Sequence, residues 1–370
     1  MKSLQQLWDE IQTVKTQNAA LTSTVAELRF TLGATLPASA LTWILSTPDA
    51  TGATGFDPSL AFGPDGQPAI AHFLPSLRFA RFNGSTWSLT TVDATGDTGR
   101  APSLAFDPNG QPAIAYQDHT NDDLRFARFN GSTWALTTVD AAEVTGWYPS
   151  LAFGPDGQPA IAYSDSTNYD LHFARFNGST WSLTTVDATG NTGVTPSLAF
   201  GPDGQPAIAY LDNTTYDLRF ARFNGSTWAL TTVDATDFTG WYPSLAFGPD
   251  GQPAIAYYNG GSNDDLRFAR FNGSTWSLTT VDATGDTGAF PSLAFGPNGQ
   301  PAIAYSESTN NDLRFARFNG STWTLTTLDA TGSTGHSPSL AFGPDGQPAI
   351  AYENGTNDDL RFARLGLFKP

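Results

Sequence analysis

Pro149-Ser-Leu-Ala-Phe153, Gly154-Pro-Asp-Gly157, Pro159-Ala-Ile-Ala-Tyr163, the polar loop Ser164–Asp170, Leu171-His-Phe-Ala-Arg-Phe176, Asn177-Gly-Ser-Thr180 and Trp181-Ser-Leu-Thr-Thr-Val-Asp187 form one copy of a unit repeated along the chain. The string Pro-Ser-Leu-Ala-Phe opens at Pro58, Pro102, Pro149, Pro196, Pro243, Pro291 and Pro338, with spacings of 44, 47, 47, 47, 48 and 47. Within the unit, four short apolar runs alternate with turn chemistry. Pro-Asp-Gly and Asn-Gly supply the backbone conformations that tight strand reversals need. Four strands per unit of this length is the size of a propeller blade. The third run places Leu171 and Phe173 on one side and Ala174 and Phe176 on the other. Apolar residues on both sides predict a sheet packed on both faces, as blades between neighbours are.

The ends of the repeat region predict closure. The chain enters it with a fourth-strand sequence, Leu41–Thr47 around Trp43, and leaves after a third strand, Leu360–Leu365. Fourth strands counted by Trp43, Trp87, Trp134, Trp181, Trp228, Trp276 and Trp323 number seven, as do the other three strands. The N-terminal strand can therefore complete the last blade and remove two exposed sheet edges. The expected fold is an all-β, closed seven-bladed β-propeller over residues 41–370. The long connection from each fourth strand to the next first strand, such as Ala188–Thr195, puts Pro-Ser-Leu-Ala-Phe on the inner strand.

Residues 1–33 read differently. A heptad places Leu4, Ile11, Asn18, Val25 and Leu32 at a, and Leu7, Val14, Leu21 and Leu28 at d. Glu10 at g and Lys15 at e can pair across a parallel interface. One Asn at a, with Leu mostly at d, predicts an α-helical coiled coil making a parallel dimer; Leu at a and Val at d leave a trimer open. Residues 34–40, with Pro37 and Ser39, read as a linker.

Composition narrows the partners. The absence of cysteine excludes disulfides and thiolate metal sites. A net charge of −17 argues against nucleic acid, which needs clustered cations. No apolar run is long enough to span a bilayer. Met1–Glu10 lacks the apolar stretch of a secretory signal, so the expectation is a cytoplasmic protein or a piece of a longer, secreted or surface one.

Seven copies in one chain can be compared with each other. The first-to-second turn is nearly fixed, with Asn109 and Asn298 as small changes, and Asn-Gly-Ser-Thr-Trp recurs in every complete copy. Variation gathers in the second-to-third loops and in the pair before each first strand: Phe56-Asp57, Arg100-Ala101, Trp147-Tyr148, Val194-Thr195, Trp241-Tyr242, Ala289-Phe290 and His336-Ser337. In a four-stranded blade both regions emerge on one face, and the fixed turns on the other. Loops on a rigid scaffold commonly carry binding residues. The candidate ligand-binding residues are Trp147, Tyr148, Trp241 and Tyr242, whose flat rings suit stacking on a sugar, together with Tyr169, Tyr216, Asp118, Asp165 and Asp212 of the variable loops. Large aromatics also serve as filling between blades. Asp118, Asn121 and Asp123 present hard oxygen ligands suited to calcium, and Asp165, Asn168 and Asp170 repeat the pattern; the same residues form turns in their own right.

Catalytic chemistry is not legible. His72, His119, His172 and His336 occupy different repeat positions, and no nucleophile–base–orienter set can be assembled. His72 and His172 stand where other copies have Tyr and Arg, which reads as drift. The arginines recur in register, as Arg125/Arg128 and Arg219/Arg222, and are expected to pair with neighbouring aspartates or to lie along strand edges.

The recurring Val-Asp-Ala-Thr-Gly-Asp-Thr-Gly, Pro-Ser-Leu-Ala-Phe-Gly-Pro-Asp-Gly and Asp-Leu-Arg-Phe-Ala-Arg-Phe-Asn-Gly-Ser-Thr-Trp resemble tandem-repeat propellers of bacterial surface or secreted proteins over residues 41–365. Gly84–Trp87 and its copies look like the tail of the Asp-box of sialidase-like propellers, although Ala80 and Phe82 stand at that motif's Ser and Asp positions. Seven-bladed lectins are similar in architecture. The functional expectation is a non-enzymatic, multivalent, lectin-like glycan-binding module on a stalk. The alternatives are a structural or protein-interaction scaffold, and thirdly a carbohydrate-active enzyme.

Overall fold

The computed structural model describes residues 41–367 apart from 143, 237 and 262. The heptads of Leu4–Leu32 lie outside the described residues, as does the linker. Residues 41–367 form seven four-stranded antiparallel sheets, each taking its strands in sequence order except the last. That sheet consists of Thr334–Phe342, Pro348–Asn354, Asp359–Leu367 and, on its outer edge, Leu41–Asp49. Trp43 pairs with Leu365 there as Trp181 pairs with Phe176 within the third blade. Closure by the N-terminal strand, expected from the count of tryptophans, is what the structure shows.

A second device closes the ring at its hub. The Ser of each Pro-Ser-Leu accepts a hydrogen bond from the Leu N–H of the following blade. Ser59 serves Leu104, Ser103 serves Leu151, and so on to Ser339, which serves Leu60 across the junction of the seventh and first blades. All seven distances are 2.9 Å, so the closing contact is indistinguishable from the others.

The core lies between blades rather than inside any one of them. The second strand, Pro159–Ser164 in the third blade, is buried along its whole length, which explains its unbroken apolar sequence. Ala113, Ala115, Leu124 and Phe126 of the second blade meet Leu151, Ile161, Tyr163 and Ala174 of the third. Small residues on one face thus receive large ones from the next. Leu171 and Phe173 join the cluster toward the fourth blade and Ala174 the cluster toward the second, as the two-sided pattern predicts. The same packing joins Leu60, Ile70 and Ala80 to Ala349, Leu360 and Phe362 at the closing seam. Between blades the approach is close: a Cβ on Gly193 would lie 2.5 Å from the Leu171 Cα, which fixes a glycine before each inner strand.

The aspartate ending each fourth strand stitches the seam above the core. In the fifth blade, Asp282 caps its own turn through Thr284 and accepts the Tyr305 hydroxyl (2.7 Å) and Arg314 (2.6 Å) from the sixth. The Tyr–Asp bond recurs at six seams with distances of 2.7 to 2.8 Å. The seventh seam is different. There the tyrosine's place is taken by His72, buried against Asp49, with its Nδ1 on the Thr54 carbonyl oxygen and Nε2 3.8 Å from the carboxylate.

Candidate functional site

On the variable face, each inner strand begins with a register shift before its proline, as between Trp147 and Ser150. Bulges of this kind redirect a side chain. The redirected residues are Asp57, Ala101, Tyr148, Thr195, Tyr242, Phe290 and Ser337, and all seven have φ between 45° and 51°. They surround the mouth of the central channel, a cavity of about 260 Å³. Left-handed backbone at non-glycine residues carries a strain cost and gathers at functional sites.

From this mouth a line of aromatic rings runs outward across the fourth to sixth blades. Phe290 lies 4.1 Å from Tyr242 between ring centroids, Tyr242 6.1 Å from Trp241, Trp241 6.1 Å from Tyr216, and Tyr216 4.6 Å from Phe238. Phe238 is 47% exposed at the outer end. A shorter group stands in the third blade, where Trp147 touches Tyr148 and the His119 ring of the blade before, and Tyr148 and Tyr169 are 41% and 49% exposed. The structure therefore brings together Tyr216, Trp241 and Tyr242 of the sequence candidates. It adds Phe238 and Phe290, which sequence reading missed. Phe290 was visible as one of the variable pairs, and Phe238 as a break in the Ala-Thr-Gly connection.

The channel mouth is acidic beside these rings. Asp57 accepts a hydrogen bond from the Ser337 hydroxyl (3.3 Å), and burial raises its pKa. Burial, then the charges of Asp57 and Asp358, pushes Glu353 up to about 7. Burial, then Tyr148 and Asp57, raises the Tyr242 phenol. The mouth thus offers hydroxyls and the Asp57 carboxyl next to flat apolar surface, while Glu353 lies buried outside its lining.

The acidic candidates sit lower than expected. Asp118, Asp165 and Asp212 are buried beneath their loops and cap them from inside. Asp118 accepts from Thr120 N–H, Asn121 Nδ2 and the Arg125 guanidinium; Asp212 from Thr214 N–H and Arg219. At the calcium candidate Asp118, Asn121 and Asp123, Asn121 thus turns N–H rather than oxygen toward Asp118, and Arg125 brings positive charge. That donor set does not fit a cation. In the third blade His172 replaces the arginine, and Asp165, Asp170 and His172 place ligand-type atoms within 4.8 Å of one another.

The opposite face carries a repeated feature that sequence comparison passed over because it does not vary. Between adjacent blades lies a cleft walled by aromatic rings and an arginine. In the cleft of the fourth and fifth blades these are Phe220, Arg222, Phe247, Phe271 and Trp276, around about 440 Å³. Equivalent clefts of about 470 Å³ and 400 Å³ lie between the first and second and the sixth and seventh blades. Arg222 donates to Asp203 (2.5 Å) and the Gln205 carbonyl, and lies 5.0 Å above the Phe247 ring.

This geometry defines the chain as a closed β-propeller with one diversified and one repeated face. No protein-family model matches the sequence, and no curated protein is recognisably similar to it. Solved structures share the fold. A mutant of AofleA from Arthrobotrys oligospora superposes with a TM-score of 0.53 at 17% identity, over 79% of this chain and 91% of that one. A polysaccharide lyase, an ulvan lyase, gives 0.62 at 13%, over 85% and 95%. A mutant of the Aleuria aurantia lectin in complex with Fucα1-6GlcNAc gives 0.50 at 15%, over 75% and 98%. At such identities the likeness shows the fold alone.

Proposed function

We propose that the chain is a non-enzymatic, multivalent glycan-binding module whose principal surface is the aromatic ladder of the variable face. The observation that carries this reading is the unbroken row Phe238–Tyr216–Trp241–Tyr242–Phe290, ending among the polar groups of the channel mouth. Rings that combine an apolar body with a polar tip suit the alternating apolar faces and hydroxyl edges of a saccharide. Trp147, Tyr148 and Tyr169 form a second, smaller station. Weak stations on one disc gain avidity when several are engaged together, and self-association through residues 1–33 would add to it. The fold neighbours that bind glycans make the reading consistent without specifying the sugar.

A glycan-array screen of the full chain tests it. Specific hits are expected, and Trp241→Ala should weaken them at least about tenfold while leaving the melting temperature nearly unchanged. A blank array at high protein concentration would overturn the glycan reading and assign the ladder to a protein partner.

A further inference from the structure

In six of the seven inter-blade clefts the arginine is neutralised by a carboxylate. The pairs are Arg81–Asp65, Arg128–Asp107, Arg175–Asp156, Arg222–Asp203, Arg270–Asp250 and Arg364–Asp345, at 2.5 to 2.9 Å. Each of these guanidinium groups also lies over a phenylalanine of the following blade, 5.0 to 5.9 Å from its centroid. The sixth blade departs from the pattern. Its turn reads Gly296-Pro297-Asn298-Gly299, with Asn298 in the aspartate's place. Asn298 Oδ1 still accepts the Gln300 N–H at 3.2 Å, so the turn's cap is kept while the charge is lost.

The second blade shows that this loss can be offset. There Asn109 occupies the same turn position, but Asp107 replaces the glycine two residues earlier and holds Arg128 at 2.5 Å. No such change accompanies Asn298, because Gly296 remains glycine. Among the described residues, Arg317 is the one cleft arginine with neither a carboxylate at ion-pair distance nor a ring beneath it. It lies in a cleft of about 400 Å³ with Trp43, Phe315, Asn298 and Thr326. Burial lowers its pKa, as expected of a cation partly withdrawn from water with no counter-charge.

We propose that the cleft between the sixth and seventh blades binds an acidic saccharide unit, its single anionic group paired with Arg317 and its ring set against Trp43. A planar guanidinium matches a carboxylate or a sulfate ester through two parallel hydrogen bonds. In the six other clefts the resident aspartate already occupies that position and repels a second anion. The site lies on the face opposite the aromatic ladder and does not rest on the function assigned to that surface.

Calorimetric titration of the full chain tests the assignment, with methyl β-glucuronide and a 6-sulfated methyl galactoside as acidic probes and the unsulfated galactoside as the neutral one. One acidic probe should bind per chain, at least about tenfold more tightly than the neutral sugar, with affinity falling as salt rises. Asn298→Asp, which restores the pattern of the other clefts, should weaken it at least about tenfold without loss of melting temperature. Asp203→Asn should create a second site and raise the stoichiometry to two. The two acidic probes separate a carboxylate from a sulfate ligand. Equal affinity for acidic and neutral probes, or indifference to Asn298→Asp, would overturn the proposal whatever the ladder binds. Complete competition by inorganic sulfate at the probe's own concentration would overturn its saccharide part.

Discussion

On the repeated face, each turn is held by its own side chains. Asn177 Oδ1 accepts the N–H groups of Ser179 and Thr180 while its Nδ2 donates to Thr180, and Asn224 and Asn272 do the same in their blades. On the variable face, seven residues of six types before the inner-strand prolines share one backbone conformation. Their side chains cannot be what imposes it. What the seven share is the following proline and the serine bond to the next blade, which hold the backbone there. Where the side chain specifies the conformation, sequence cannot drift; where neighbours specify it, the side chain is released to vary. That is how near-identical blades present one fixed face and one diversified face.

The comparison is broken most severely at the layer beneath the variable loops. Asp282 is fully buried, and burial alone would raise its pKa. Hydrogen bonds from Thr284 and Tyr305, with the charge of Arg314, more than offset this and hold the carboxyl below its usual range. Asp282→Ala leaves a tyrosine hydroxyl and a largely buried guanidinium without their acceptor, at a cost of about 3–5 kcal/mol. Asp203→Ala on the repeated face removes an Arg–Asp pair of similar length, but that carboxylate is 56% exposed, and about 1 kcal/mol or less is expected. Urea denaturation of the two variants measures the contrast. Equal losses would mean that the buried layer does not carry the variable face.

A smaller effect is expected at the closing seam. Burial holds the His72 imidazole well below its usual range, so it is neutral in the folded protein at pH 7. A depressed folded pKa contributes stability that is present above the unfolded value of about 6.5 and is lost as pH falls toward the lower folded one. His72→Tyr places at this seam the hydroxyl that reaches aspartate in the six others. It should stabilise the protein by about 1 kcal/mol at pH 7. The advantage should widen between pH 6.5 and pH 5, because tyrosine binds no proton there. Melting temperatures at pH 7.5 and 5 check both statements, and a constant difference between the two would exclude His72 as a source of acid lability.

Ring closure was legible because seven tryptophans mark seven fourth strands, one of them displaced to the N-terminus. The seam was not, because its partners come from different blades. Tyr210 and Asp187 lie 23 residues apart, and only the packing of one sheet against the next joins them. Asp118 and Asp212 read as exposed loop ligands for a different reason, since their arginines belong to the same blade. Their acidity was visible, but the arginine that turns them inward lies seven residues further on, across a strand reversal. Trp241 and Tyr242 stood out as departures from the repeat, and Phe238 completes their row from a separate connection. In the sequence Asn298 is a small change within an otherwise fixed turn. Its consequence depends on Gly296 and Arg317, and so emerges only when the turn is seen beside the third strand.

The smallest effect tests the rule for the variable face directly. Thr195 is β-branched and held at φ 48°, a region that such residues rarely occupy, and its hydroxyl is buried with no hydrogen-bond partner. Left-handed backbone costs an L-residue about 1–2 kcal/mol, whereas glycine adopts it freely. Glycine in turn costs about 0.5–1 kcal/mol through the larger entropy of its unfolded chain. If neighbours rather than the side chain hold this backbone, Thr195→Gly should leave stability unchanged or raise it by up to about 1 kcal/mol. Thr195→Asn should behave similarly, since asparagine tolerates the left-handed region. A loss above about 1 kcal/mol from both would show that the threonine side chain itself fixes the bulge, and the variable face would then owe its freedom to something other than the conformation its blades share.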